Sequence, residues 1–235
     1  MKTSGFNNQI SAYSEERPPK FHEIALLEII EKYISKDHFK LLDIGCATGS
    51  FLSLISSRYS ESEYTGFDIS SKLISIAEKR LKNFKANFTV DDALNFKTST
   101  KFDFIVASGV LSIFEDLNPL NIWTDWLAEN GTLFIFGRFN SKEIDTIIRF
   151  RNHYNKNVED SNWQGGLTSF SIKYTADYLN KLGFESEFIP FHFPETLEKS
   201  SDPIRTYTVD TINQEKLILN GANILAEQYF LIVRK

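Results

Sequence analysis

The stretch Leu41-Leu42-Asp43-Ile44-Gly45-Cys46-Ala47-Thr48-Gly49-Ser50-Phe51-Leu52 constrains the fold more than any other. It reads as a short apolar strand, a turn of small residues and the opening of a helix. Gly45 and Gly49 suit a turn in which a side chain would block an approaching ligand or force a strained torsion. The N–H groups at the start of the following helix leave a polar cradle. An acid about twenty positions on, at the end of the next strand, completes a nucleoside site by holding ribose hydroxyls. Asp68, within Tyr64-Thr65-Gly66-Phe67-Asp68-Ile69-Ser70, stands at that place.

Two nucleoside cofactors use this geometry, and the turn separates them. A nicotinamide site requires G-x-G-x-x-G, with backbone pressed on a pyrophosphate. Here the pattern is Asp43-x-Gly45-x-Ala47-x-Gly49, which lacks the last glycine at that spacing and begins with an acid at the strand end. It resembles the first motif of the class I S-adenosylmethionine-dependent methyltransferases, acid-x-Gly-x-Gly-x-Gly, with Ala47 in place of the middle glycine. An ordinary βα turn carries similar glycines, so the remainder of the chain has to decide.

The rhythm of that remainder is βα throughout. Strands are expected over Lys40–Cys46, Glu63–Phe67, Ala86–Val90, Phe102–Ala107 and Thr132–Phe136. Helices are expected over Gly49–Arg58, Ser71–Leu81 and Asn118–Glu129, with Asn130-Gly131 as a turn. Such alternation implies a doubly wound, mostly parallel sheet whose ligands bind beyond the carboxyl ends of its strands. Asp43, Asp68 and Asp92 all fall near those ends, and that convergence carries the reading.

The resemblance assigns roles residue by residue. Asp43, Gly45, Cys46, Ala47 and Gly49 match the turn facing the methionine part of the donor. Asp68 matches the ribose acid, with Ile69 beside the adenine. Asp92 and Ala93 match the pair that meets the adenine, although Asp91 and Asp92 also read as simple capping acids. Ser108, Gly109, Val110 and Leu111 match the segment flanking the methyl group. Asn/Asp-Pro-Pro-aromatic, common after the fourth strand in enzymes methylating exocyclic or amide nitrogens, is absent. The form is closer to that of small-molecule methyltransferases, but without the histidines that often follow there.

Outside this core, the polar segment before residue 20 is followed by a helix from Phe21 to Ile34, with Ile24, Leu27, Ile30 and Ile34 on one face. It resembles the family's N-terminal cap. Tyr13, Arg17 and His22 therefore either close over donor or acceptor or are plain surface residues. Residues 138–175 break the sheet rhythm and match the position of a substrate-lid insertion. Asp145, Arg149, Arg151, Asn152 and His153 fall on a helix-like segment there, and Trp163 follows in a polar loop. Thr175 reads as the N-cap of a helix over Ala176–Leu182. A sixth strand over Glu185–Pro190 follows, then a hairpin through Asn213-Gln214. The last apolar strand, Gln228–Arg234, is expected antiparallel at or near the sheet edge, which makes seven strands.

The domain reading is a single unit over 1–235, with a cap to residue 37, a donor-binding core over 38–137, the insertion, and the rest of the sheet over 176–235. This length accommodates one full core. A net charge of −5 and no long basic run argue against nucleic acid as main partner. The single cysteine, Cys46, excludes an internal disulfide and a cysteine-rich zinc site, and no His/Asp/Glu cluster has metal-ligand spacing. No leader or membrane-length apolar run is seen, so a cytosolic protein is expected.

These features imply a methyltransferase using S-adenosylmethionine and releasing S-adenosylhomocysteine. The expected acceptor is an oxygen, less readily a nitrogen, of a small polar molecule such as a sugar, nucleotide-sugar or surface-polysaccharide precursor. A hydroxyl acceptor needs a base, usually a histidine or a carboxylate, for which His153 and His192, then His22, Glu115 and Asp116, are the candidates. Arg149, Trp163, Arg205, Tyr207 and His22 are candidates for acceptor contact. A tRNA or protein methyltransferase and a non-catalytic donor-binding subunit are the alternatives. An edge strand or the N-terminal helix would pair two chains if the protein is a homodimer.

Overall fold

In a computed structural model of the chain, the described residues are 18–151, 168–199, 201, 206–212, 216–219 and 227–235. The strands are β1 (Lys40–Ile44), β2 (Glu63–Asp68), β3 (Ala86–Val90), β4 (Phe102–Ser108), β5 (Leu127–Asn140), β6 (Phe170–Ser171), β7 (Glu185–Phe191), β8 (Tyr207–Asp210), β9 (Lys216–Leu219) and β10 (Gln228–Arg234). The helices are α1 (Phe21–Glu31), α2 (Ser50–Ser56), α3 (Ser71–Arg80), α4 (Asn118–Thr124) and α5 (Ile172–Lys181).

Seven strands form the main sheet in the order β3-β2-β1-β4-β5-β10-β7, and the two-residue β6 pairs with the end of β5. β1 to β5 run parallel, whereas β10 is antiparallel to both β5 and β7. β10 thus lies one strand in from the edge, and β7 forms the edge itself. β1, β4 and the centre of β5 are buried on both faces, as a parallel sheet covered on both sides requires. One layer packs α1, α2 and α3 through Leu26, Ile30, Ile55 and Ile74; the other packs α4 and α5 through Leu120, Trp123 and Leu179. Each fully buried side chain of this size contributes roughly 1.5–3 kcal/mol.

Several local expectations shift. α1 turns Leu26, Leu27 and Ile30 inward and leaves Ile24 41% exposed, so its packed face is rotated from the one the spacing suggested. α4 ends at Thr124, and β5 begins at Leu127 with an irregularity opposite Phe102 before the regular register from Thr132. The other end of β5 continues to Asn140, because β10 pairs with it as far as Arg138 and β6 pairs with Phe139 and Asn140. Residues 141–151 form no helix; Thr146 instead bridges Ser169. Ser171, not Thr175, caps α5 by accepting from the Tyr174 N–H, while buried Thr175 donates to the Ser171 carbonyl. β8 and β9 pair as the hairpin expected around residue 213. Among the described residues no helix is long and apolar enough to cross a membrane.

Candidate functional site

Strand order reverses between β1 and β4, and ligands of doubly wound sheets bind outside the carboxyl ends at such a point. A cleft of about 330 Å³ opens there. The β1–α2 turn forms its floor. Gly45 has φ +67°, and a methyl group at its α-carbon would stand 2.6 Å from Val110 Cγ2. Gly49 has φ +68° and faces Leu81 and Ala77 of the α3 layer, so it shapes the turn without lining the cleft. Between them Ala47 holds φ +48°, the left-handed conformation that costs a side-chain-bearing residue roughly 1–2 kcal/mol. Cys46 is buried, and its thiol is pushed well up by desolvation and by Asp43 and Asp68.

The acids at the strand ends converge on this cleft. Asp68, at the end of β2, accepts from the Ala47 N–H at 3.1 Å and the Ser70 N–H at 2.9 Å. That ties the second strand to the first turn. Asp43 is 4% exposed, and its carboxyl is raised well above the usual range by desolvation, then by Glu23 and Asp68. Asp92 accepts from the Leu94 N–H at 2.8 Å in a local turn. The buried indole of Trp123 donates to the Ala93 carbonyl at 3.0 Å and fixes that loop. Ile69, Ser108, Gly109 and Val110 complete the lining anticipated from the sequence.

The structure adds residues with no motif to reveal them. Glu23 of α1 accepts from the Lys20 N–H at 2.7 Å and from Ser50 Oγ at 3.0 Å, which places a further carboxylate in the cleft. Arg80 donates from Nη1 to the Thr48 carbonyl and to Thr48 Oγ1, both at 3.0 Å, clamping the turn from α3. Phe136 of β5 lines the cleft and stacks on His22, with ring centroids 4.4 Å apart. Burial, and secondarily Lys20, lowers the His22 pKa to about 3, so its ring is neutral at ordinary pH.

The remaining candidates lie elsewhere. His192 is exposed beyond β7 and does not line the cleft. Arg149 pairs with Glu115, its Nε donating at 3.1 Å, outside the cleft lining. Tyr207 sits in the β8–β9 hairpin beneath the Lys199 ammonium, 5.4 Å from its ring centre. Tyr13, Arg17, His153, Trp163 and Arg205 lie outside the described residues. Among the described residues no cluster could hold a metal ion.

The family model described as a methyltransferase domain matches residues 35–181. Malonyl-[acyl-carrier protein] O-methyltransferase 1 of Ilyobacter polytropus is 27% identical over 138 residues, 58% of this chain and 51% of that protein. Trans-aconitate 2-methyltransferase of Agrobacterium fabrum is 28% identical over 145 residues, 61% of this chain and 56% of that protein. The match thus spans about half the length of these curated relatives. Among solved structures, the plantazolicin methyltransferase BpumL, in complex with a pentazolic desmethyl analogue and SAH, superposes with TM-score 0.60 at 18% identity, covering 97% of this chain and 90% of that one. The DhpI–SAH complex superposes with TM-score 0.59 at 12% identity, covering 97% and 91%. These define the fold as that of the class I S-adenosylmethionine-dependent methyltransferases. The chain belongs to the methyltransferase-domain family.

Proposed function

We propose that this chain transfers a methyl group from S-adenosylmethionine to a carboxylate oxygen of a small organic acid. The observation carrying the donor half is the convergence of Asp43, Asp68 and Asp92 from three strand ends on one cleft. The cleft suits a cationic donor. Its lining holds the carboxylates of Glu23, Asp43, Asp68, Asp91 and Asp92 against the cations of Lys20 and Arg80. When bound, S-adenosylmethionine supplies a methyl group on a positively charged sulfur. Asp68 would hold the ribose hydroxyls with the lone pairs not used by Ala47 and Ser70. Asp92 and Ala93 would meet the adenine, with Ile69 beside it, and Gly45 to Ala47 and Gly109 to Val110 would flank the methionine part.

The acceptor reading follows from what the cleft can do with protons. His22 is its histidine among the described residues, and a ring with a pKa near 3 takes up no proton near neutrality. A hydroxyl acceptor would therefore have to yield its proton to one of the cleft's carboxylates, whereas a carboxylate acceptor is already ionised at neutral pH and needs no base. The relatives point the same way, since malonyl and trans-aconitate groups both carry free carboxylates. The sugar-type acceptor expected from the sequence leaned on Trp163 and Arg205, outside the described residues, and on a loose resemblance; an organic acid replaces it in this reading.

Residues 141–151 and 168–171 would form part of a lid over the acceptor side. The supporting contacts are the Thr146–Ser169 bridge, the Thr168 N–H donating to the Ser112 carbonyl at 2.9 Å, and the Arg149–Glu115 pair. These tie the segment to the loop after β4, which itself lines the cleft.

The test is calorimetric titration with S-adenosylmethionine and S-adenosylhomocysteine, with NAD as control, followed by methyl-transfer assays on malonate and trans-aconitate. Binding of both sulfur compounds but not NAD, with methyl ester formed on an acid, is the expected result. Absence of donor binding would remove the donor half. Transfer to sugar hydroxyls alone would remove the acid reading.

A further inference from the structure

β5 continues past the level at which β4 ends. The last β4–β5 pair is Ser108 with Phe136, and β5 runs on through Gly137, Arg138, Phe139 and Asn140. Side chains alternate along a strand, so Arg138 stands on the same face as Phe136, about 7 Å further along. Leu133, Ile135 and Phe139 belong to the opposite layer, while Phe134 and Phe136 belong to this one. Arg138 therefore follows the cleft-lining Phe136 on the same face of β5, next to but not among the residues that line the cleft itself.

The neighbouring Phe136 belongs to an aromatic cluster. Phe136 makes ring contacts with His22, Phe191 and Phe230, with centroids 4.4, 5.3 and 5.0 Å away. Phe193 and Phe21 extend the aromatic surface. Across the sheet, Arg138 is opposite Gln228, a neutral residue, and Gln228 is opposite Phe191. Arg138 Nη1 is buried and has no hydrogen-bond partner among the described residues. Desolvation lowers the pKa of the guanidinium, and among the described residues no carboxylate counters it. Arg138 as a whole is partly exposed, yet its Nη1 is held away from water without a partner among the described residues, a cost that an anionic ligand would offset by supplying the missing acceptor.

We propose that Arg138 is the residue that selects an anionic acceptor, its guanidinium pairing with a carboxylate of the organic acid while the apolar body of that acid lies along the Phe136–Phe191 wall. The inference rests on the methyl-transfer reading above and deepens it. A planar guanidinium presents a fork of donors matched to the two oxygens of a carboxylate, and a site shielded from water strengthens that pair. Phosphate monoesters share the charge but carry a tetrahedral group. The planar carboxylate is favoured because the ring-lined wall suits a flat, partly apolar acid.

The experiment uses the full chain saturated with S-adenosylhomocysteine and titrates trans-aconitate, malonate and inorganic phosphate into wild type, Arg138→Met and Arg138→Lys. Wild type should bind the acids and not phosphate. Arg138→Met should weaken the acids by roughly tenfold or more, and Arg138→Lys should recover part of that loss. Binding of S-adenosylhomocysteine itself should be unchanged within about twofold in both variants, because Arg138 is not on the donor side. Thermal stability of Arg138→Met should equal or exceed that of wild type, since a partly buried charge with an unpartnered Nη1 is removed. Equal acid binding by wild type and Arg138→Met, or acid binding by neither while the donor product still binds, would overturn the proposal and leave the donor reading intact. Preferential binding of phosphate would overturn the carboxylate assignment. Loss of S-adenosylhomocysteine binding from wild type would instead count against the function itself.

Discussion

The two halves of the cleft are built in different ways. On the donor side, the β1, β2 and β3 ends present backbone turns and three aspartates within about 50 residues of chain. On the side proposed for the acceptor, His22 from α1 and Phe136 from β5 line the cleft, with Arg138 of β5 and Phe191 of β7 next to them, joined only by the folded sheet. The donor side depends on local torsions and close packing, which a single methyl group can destroy. The acceptor side depends on side chains meeting across long separations, where substitutions change selectivity sooner than structure. A fixed donor site beside a variable acceptor wall allows the same sheet to serve different acceptors.

Four substitutions probe that difference, from the most to the least disruptive. Gly45→Ala should abolish measurable S-adenosylhomocysteine binding in calorimetry and lower unfolding free energy by roughly 2–4 kcal/mol, since the added carbon meets Val110 and the torsion is left-handed. A normal donor affinity in this variant would mean that the turn is softer than its packing indicates.

His22→Phe keeps the ring stacked on Phe136 and should change the pH dependence of stability. The His22 pKa is about 3 in the folded protein and near 6.5 when unfolded, so the unfolded state binds the extra proton between these values. Wild type should therefore lose stability as pH falls from 6.5 towards 3, on the order of 3 kcal/mol from this group by pH 4. Asp43 and Asp68, whose carboxyls are raised, act in the opposite sense and are common to both proteins. Denaturant melts across pH should show a gentler acid-side loss in His22→Phe; parallel curves would mean that His22 titrates normally.

Asp68→Asn should weaken the donor by roughly tenfold to a hundredfold and cost about 1–3 kcal/mol of stability, because its carboxylate also receives the Ala47 and Ser70 N–H groups. Acid binding measured by the effect of Arg138 substitutions should keep its pattern. If it does not, the two halves are coupled more tightly than their construction implies. Ala47→Gly should have the smallest effect. Relief of the left-handed torsion should raise stability by up to about 1 kcal/mol, offset in part by a more flexible unfolded chain, with donor affinity unchanged.

The same contrast explains what could be read from the chain. β1 to β5 and the three aspartates were legible because strand, turn and acid recur at short, regular spacing. Ala47 at a glycine position was visible as a departure, and the positive φ gives it a physical meaning. Glu23 was hidden because an acid near a helix start looks like surface or capping, whereas here it accepts from Ser50, 27 positions on. Arg138 fell in the insertion read over 138–175, because the fifth strand was expected to end at Phe136. Pairing with β10, ninety residues later, carries the sheet to it, and β6 pairs with the two residues beyond. Thr175 lost the cap to Ser171 because both hydroxyls precede the same apolar face, and spacing alone did not rank them.

The place of β10 between β5 and β7 bears on how this protein is made. β7 leaves the ribosome before the strand that connects it to the sheet, and it touches β5 nowhere along the observed order. Until Gln228–Arg234 arrives, β7 presents an unpaired edge and the aromatic surface around Phe191 stays open. The donor cradle can assemble from β1 to β4 while the chain is still being synthesised. The wall proposed for the acceptor must wait for β10, so during synthesis the protein should hold a donor-competent core before that wall is complete.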